Sequence, residues 1–331
     1  MRVYMIKCAV IGTNFITDRF IEVVKQLNNI ELVGVYSRTM DRAKEYANMH
    51  GASLVFDKLE DLANSEEVDL VYIASPNSFH FSHSMQMLQK GKHVLCEKPI
   101  ASNSRELALM LQTAEENNVI LLEAMRTVFD PGFLEIANNL YKLGTIRRAT
   151  FQYCKYSSRY DNFKKGIIEN AFDPIYSNGA LTDIGVYCIH SLVKLFGLPN
   201  GINAMGILLE NGIDGAGTII ADYGYMQAEL LYSKIAVSYI QSEIQGEKAT
   251  MLIDEIVSPK ELVILYRDGQ EERISMENKN KNNMYYEVEE MVRLIENSEH
   301  AQDHNQYSIM EINLLDEARK QIGIVFPADK E

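Results

Sequence analysis

Short apolar runs alternate with helical patterns through the first third of this chain, and that alternation leaves few folds open. Ile6–Ile11, Leu32–Tyr36, Leu70–Ala74, His93–Cys96 and Val119–Leu122 read as strands. A helical pattern with apolar Phe15, Ile16, Phe20, Val23, Val24 and Leu27 follows the first of them. The next carries Ala43, Tyr46 and Ala47 on one face, and further helices are expected near Ser78–Gln89 and Ser102–Glu116. Strands joined in this way are parallel, because each crossover must return over the sheet, and such a sheet is covered on both faces.

After Ala124 the rhythm changes. A helix is expected from Pro131, a favoured first-turn position, to Gly144, and another from Ala180 to Phe196 with Gly197 as its stop. Then come β-rich stretches without intervening helices: Gly217–Tyr223, Met226–Ile235, Val237–Gln245 and Thr250–Asp254. Leu262–Tyr266 and Glu272–Ser275 read as a hairpin turning at Asp268-Gly269. The polar segment Asn278–Asn283 reads as a loop, and the helices after it as closing the domain. The expected division is an α/β domain over 1–124 and an α+β domain over 125–331.

Composition removes several classes of function. Hydrophobic residues make up 47% and charged residues 24%, so both halves can bury a core. With 32 Lys and Arg against 46 Asp and Glu, the net charge of −14 repels phosphate backbones and anionic membranes, and no basic block offsets it. The expectation is no nucleic-acid partner and no membrane partner. Cys8, Cys96, Cys154 and Cys188 form no CxxC pair, so neither a zinc site nor a disulfide framework is implied. His80 and His83 stand at helical spacing without a third ligand, and no metal is expected. No secretory signal and no run of membrane-spanning length is read, and a reducing, cytoplasmic setting is expected.

The turn Gly12-Thr13-Asn14-Phe15-Ile16-Thr17 sits where the first strand gives way to a helix. There, backbone N–H groups and the positive helix end could meet a dinucleotide pyrophosphate. Only Gly12 survives of the GxGxxG pattern; Asn14 takes the second glycine position, feasible because Asn tolerates left-handed geometry, and Thr17 the third. An ordinary strand-to-helix turn would read the same. The second strand ends in Tyr36-Ser37-Arg38-Thr39, with Arg42 in the next helical turn. NAD sites usually place Asp or Glu there for the ribose hydroxyls, whereas a guanidinium grips a 2′-phosphate. Ser37, Arg38 and Arg42 therefore point to NADP(H) over NAD(H), against the alternative that Arg38 is a solvated loop residue.

The stretches Ala74-Ser75-Pro76-Asn77-Ser78-Phe79-His80 and Gly91-Lys92-His93-Val94-Leu95-Cys96-Glu97-Lys98-Pro99 are more specific. They resemble the glucose-fructose oxidoreductase/inositol dehydrogenase (Gfo/Idh/MocA) family, whose hallmark is a strand ending in Glu-Lys-Pro. Glu123-Ala124 with Pro131, and the segment Gly179 to Cys188, resemble later parts of the same family, so the likeness spans nearly the whole chain. It implies a Rossmann domain followed by an α+β domain with an open, mainly antiparallel sheet through which relatives form dimers or higher homo-oligomers. It also implies hydride transfer between NAD(P) and a sugar, polyol or related cyclic alcohol. By resemblance, Ser75, Pro76, Asn77, His80, Glu97 and Lys98 join the cofactor site, and relatives often hold the Lys-Pro bond in the cis form. Tyr187 stands where inositol-dehydrogenase-like members have His, a pattern more similar to dimeric dihydrodiol dehydrogenase and xylose dehydrogenase. The chain departs from the family at Ser177-Asn178, Arg126 and Val128, near the implied substrate pocket.

Alcohol oxidation removes a hydride from carbon while a base takes the hydroxyl proton. Desolvation at a buried strand end and the charge of oxidised nicotinamide would both favour the proton-accepting form of Lys98. Tyr187 is expected as the direct proton donor and acceptor, and Asp183, one helical turn earlier, as the group that binds a substrate hydroxyl and orients the pair. A strand-end surface lysine and a core tyrosine are the plainer readings of Lys98 and Tyr187. Arg126, Arg159, Phe172 and His190 are candidate substrate contacts, each also readable as a packing or loop residue. The competing function is a non-catalytic dinucleotide-sensing protein of the same fold, which would need no acid/base set.

Overall fold

A computed structural model describes residues 5–276 and 279–330. Residues 1–4 and 331, at the ends of the expected domains, and Asn278, at the start of the expected polar loop, lie outside the described residues. The chain divides into two compact units, Met1–Ala124 with Met284–Gln306, and Met125–Asn283 with Tyr307–Glu331.

The first unit follows the βα alternation. Its elements are β1 (Ile6–Ile11), α1 (Phe15–Val24), β2 (Ile30–Tyr36), α2 (Met40–His50), β3 (Leu54–Phe56), α3 (Leu59–Ala63), β4 (Leu70–Ile73), α4 (His80–Leu88), β5 (His93–Glu97), α5 (Ser104–Glu116) and β6 (Leu121–Ala124). The strands make one parallel sheet in the order β3-β2-β1-β4-β5-β6. Cys8, Ala9, Val10, Val71, Tyr72, Val94 and Leu95 are fully buried, as strands covered on both faces require. The short β3 and α3 were not anticipated; three to five residues carry too little periodicity to read.

The second unit begins with α6 (Arg126–Phe129) and α7 (Pro131–Asn139), whose last turn tightens into a 3₁₀ segment ending at Gly144. β7 (Ile146–Cys154), α8 (Ser158–Phe163), a π-helical turn over Leu181–Gly185 and α9 (Val186–Phe196) follow. β8 (Gly201–Leu208), β9 (Asp214–Asp222), β10 (Gln227–Ser233), β11 (Ser242–Gly246), β12 (Ala249–Ile253), β13 (Glu261–Tyr266) and β14 (Glu271–Ser275) complete an eight-stranded sheet. Its order is β14-β13-β12-β11-β7-β10-β9-β8, antiparallel except for β7 beside β10. On one face Ala149, Phe151, Ala228, Leu230, Ile244 and Met251 are buried beneath α9 and neighbouring elements. The other face carries Arg148, Thr150, Glu229 and Glu243, the polar side that an antiparallel sheet can show to water.

β7 and β8 were missed. The Arg147-Arg148 pair breaks the apolar pattern of β7, yet both side chains lie outward on Glu247 and Glu229. The strand expected over Val237–Gln245 shrinks to Ser242–Gly246, and Val237, Tyr239 and Ile240 are exposed instead. Pro174–Phe196 is apolar and long enough to cross a membrane by composition alone, but most of it is buried as the core helix of this unit. The chain closes with α10 (Met284–Asn297), grouped with the first unit, and α11 (Gln302–Ile322). Expectation had put everything after residue 124 in the second domain; α10 instead packs against α1 and β6, and its Val288, Met291 and Val292 are buried.

Candidate active site

In the first unit the strand order changes direction between β1 and β4, and open α/β sheets take ligands beyond the carboxyl ends of strands at such a point. The two turns there are in contact. Gly12 has φ +116°, and a Cβ at this position would come 2.6 Å from the Ala74 carbonyl oxygen, so only glycine fits. The Asn14 Nδ2 donates to that same carbonyl at 2.9 Å, while its Oδ1 accepts from the amides of Ile16 (2.9 Å) and Thr17 (3.3 Å). Asn14 is extended (φ −117°, ψ 175°), not left-handed. It stands in the glycine position as the N-cap of α1, which corrects the reason given for it from the sequence. The cap also occupies the Ile16 amide, whereas Phe15 is exposed.

Arg42 reaches back from α2 to this turn. Its Nε and Nη2 donate to Thr13 Oγ1 and Thr13 O, each at 3.2 Å, and Nη1 pairs with Glu45 at 2.8 Å. The Ser37 amide is tied to Phe56 O at 3.1 Å, and Arg38 is exposed. A glycine turn, a helix N-terminus and two guanidinium groups suit a phosphate-bearing dinucleotide.

The Glu97-Lys98-Pro99 turn leaves the carboxyl end of β5, with Lys98 half-buried and the Lys98-Pro99 bond cis. Buried and part-buried side chains fix the backbone around it. Glu97 accepts from Tyr72 Oη at 2.6 Å and from the Lys98 amide at 3.3 Å, and Glu123 accepts from the Ile100 amide at 3.0 Å. Glu106 accepts from the Ser102 amide at 2.8 Å. His80, expected near the nicotinamide, is buried with Nδ1 2.8 Å from Pro99 O and Nε2 2.9 Å from Ser75 O. A neutral ring donates to only one of them at a time. Burial holds its pKa below the ordinary imidazole value, with the two carbonyls pulling the other way. His80 is thus a staple between the Ser75 and Pro99 turns. His83 Nδ1 meets Ser75 Oγ at 3.0 Å, and burial pushes this imidazole down to about 4. Pro76 and Asn77 begin the 3₁₀ turn that leads into α4.

In the second unit, Asp183 lies in the π-helical turn and Tyr187 in the first turn of α9. Single π turns inside helices recur at functional sites. The Arg126 guanidinium lies 5.4 Å from the Tyr187 ring centroid, and Tyr153 meets the same ring edge-on at 5.7 Å. Asp183 is partly exposed, and its Oδ2 pairs at 2.8 Å with the ammonium of Lys234, a side chain only 2% exposed. Lys234 escaped the sequence reading; its one signal is a lone cation in the apolar run Leu230 to Val237. Asp214 also escaped. It is buried, accepts from the Leu181 amide at 2.7 Å, and would collide with any side chain at Gly179.

Several expected substrate contacts are engaged in packing. Phe172 is fully buried among Phe163, Ala171 and Ile213, with Lys234 Nζ 4.5 Å from its ring centroid. His190 is buried, with its Nδ1 2.5 Å from Glu311. Arg159 is exposed and pairs with Glu169 at 3.4 Å.

Residues 6–125 match the family model described as oxidoreductase family, NAD-binding Rossmann fold. The chain is 48% identical to scyllo-inositol 2-dehydrogenase (NADP(+)) IolU of Bacillus subtilis (strain 168), across 98% of this chain and 100% of that protein. It is 28% identical to a trans-1,2-dihydrobenzene-1,2-diol dehydrogenase of Xenopus laevis, across 97% of this chain and 99% of that one. Among solved structures, KijD10, a 3-ketoreductase from Actinomadura kijaniata in complex with NADP and TDP-benzene, matches with a TM-score of 0.85. That match covers 96% of this chain and 98% of the other at 20% identity, and it speaks to the fold. Near-half identity sustained through both units goes well beyond a shared nucleotide-binding half, and the chain belongs to the Gfo/Idh/MocA family of NAD(P)-dependent oxidoreductases.

Proposed function

We propose that this protein is an NADP(H)-preferring dehydrogenase of cyclitols and related sugars or cyclic alcohols, with Lys98 and Tyr187 as its acid/base residues. The observation that carries the reading is the Lys98 turn, whose backbone is held by Glu97, Glu123 and His80 at the carboxyl end of β5. That much fixed polar structure around a half-buried lysine is costly unless the amine has work to do. When bound, the nicotinamide accepts or returns the hydride. The chain's own residues would handle the proton: the Tyr187 phenolate, favoured by the positive charge of Lys98, takes it from the substrate hydroxyl as the hydride leaves, and the Tyr187 phenol gives it back in the reverse reaction. Asp183 accepts a neighbouring substrate hydroxyl.

Arg38 and Arg42, with no carboxylate over Ser37–Thr39, support the NADP(H) preference, as does the NADP(+) in the name of the 48% identical relative. The pattern at Tyr187 leans toward dihydrodiol and xylose dehydrogenases, whereas that relative's name carries scyllo-inositol, so cyclitols join the substrate class. Fluorescence titration with NADPH and NADH, followed by assays against scyllo-inositol, aldoses and dihydrodiols, tests the reading. Lys98→Met should lower turnover by about 10²–10⁴ while NADPH still binds. Undiminished turnover in that variant, or tighter binding of NADH than of NADPH, would count against it.

A further inference from the structure

We infer that Lys234 is a positioning residue for substrate recognition, holding the Asp183 carboxylate as a fixed acceptor for one hydroxyl of a polyol. The inference rests on the dehydrogenase reading above and extends it to a residue outside the acid/base set. Lysine is almost never fully buried unless it is paired, because stripping water from an ammonium is expensive. Lys234 follows directly on β10, and its backbone is pinned from two sides: its amide donates to Gly215 O at 2.8 Å, and its carbonyl accepts from the Ser157 amide at 2.9 Å. Its ammonium then meets Asp183 Oδ2 at 2.8 Å, Ala171 O at 2.6 Å and the face of Phe172.

One buried cation therefore ties the π-helical turn that carries Asp183 to the end of β10 and to the Asn170–Phe172 turn. Asp214 grips the start of the same π turn through the Leu181 amide. With one Asp183 oxygen committed to Lys234, the carboxylate cannot rotate freely, and its partly exposed edge keeps a set direction. A site built in this way to receive a hydroxyl discriminates strongly against an analogue lacking it.

The test uses the full-length enzyme with a cyclitol that the wild type accepts and its monodeoxy analogues. Lys234→Met and Lys234→Gln are compared for KM, kcat, NADPH dissociation constant and melting temperature. The expected result for Lys234→Met is a cyclitol KM raised at least about tenfold, a smaller fall in kcat, and NADPH affinity within about twofold of wild type. The preference for the cyclitol over its least-favoured deoxy analogue should shrink by a similar factor. Lys234→Gln, which keeps donors for Asp183 and Ala171, should fall between, and it carries the test alone if Lys234→Met does not fold. Unchanged KM and unchanged discrimination in the folded variant overturn the inference. So does a joint loss of NADPH binding and kcat with discrimination intact, which marks a packing role. A wild type inactive on every polyol, aldose and dihydrodiol sinks the dehydrogenase reading itself, whereas an active wild type with an unmoved Lys234 variant sinks only this inference.

Discussion

Asp214 shows how far a single buried carboxyl can set a pH response. Burial pushes its carboxyl up to about 6, with the Leu181 amide and then Lys234 pulling the other way. The folded chain thus holds this proton more tightly than the unfolded chain, whose aspartate titrates near 3.8. Its contribution to stability is greatest below pH 3.8, is lost as pH rises toward 6, and is flat above that. About two units correspond to roughly 3 kcal/mol. In urea titrations, Asp214→Asn should therefore gain on the wild type by up to roughly 3 kcal/mol between pH 4 and pH 7; a constant difference would refute the assignment. At this scale the sequence named Lys98, Asp183 and Tyr187 from pattern, but their partners came from distant segments. Nothing local in the chain says that Lys234 faces Asp183, or that His80 spends its ring on two carbonyls.

Elements were legible where their own residues enforce them. Asn14, Thr39, Asn103 and Asp130 each cap the helix that follows, and left-handed Gly51 ends α2. Asp130 does more than cap α7. Fully buried, it takes both oxygens to the Lys279 ammonium at 2.9 and 3.0 Å, and it accepts from the Gly132 amide, Ser258 Oγ and Asn283 Nδ2. This anchors the stretch before α10 onto the start of α7. Asp130→Ala would strand a lysine side chain that is itself nearly buried, at a cost of about 3–5 kcal/mol by equilibrium unfolding. A loss below about 1 kcal/mol would show that the pair is solvated. The π turn before α9 and the arginine-bearing β7 stayed hidden, because the first packs against the sheet and the second sets Arg148 on the open face beside Glu229.

For the whole molecule, the outcome least expected from the sequence is the grouping of Met284–Gln306 with the first unit. Val288, Met291, Val292 and Leu294 of α10 are buried there. At about 1.5–3 kcal/mol per large apolar side chain, their burial is comparable to the entire stability of a typical domain. A fragment ending at Ala124 is therefore expected to melt without a cooperative transition, and a peptide spanning residues 284–306 to restore one. Cooperative melting of the bare fragment would show that the helix is dispensable. The net charge of −14 remains a property of the whole chain, and it sets a repulsive background for any large polyanion.

The sequence by itself determined the parallel sheet, the strand-to-helix turn at Gly12 and the lysine at the end of β5. Period-2 and period-3.6 patterns and the needs of a tight turn are local, and neighbours in sequence suffice to impose them. Tertiary structure alone decided which polar groups face one another: Lys234 with Asp183, Lys279 with Asp130, Glu123 with the Ile100 amide. Those pairings join segments that are separate along the chain, and they form only where packing excludes water and each buried charge must be met by polar groups of the protein.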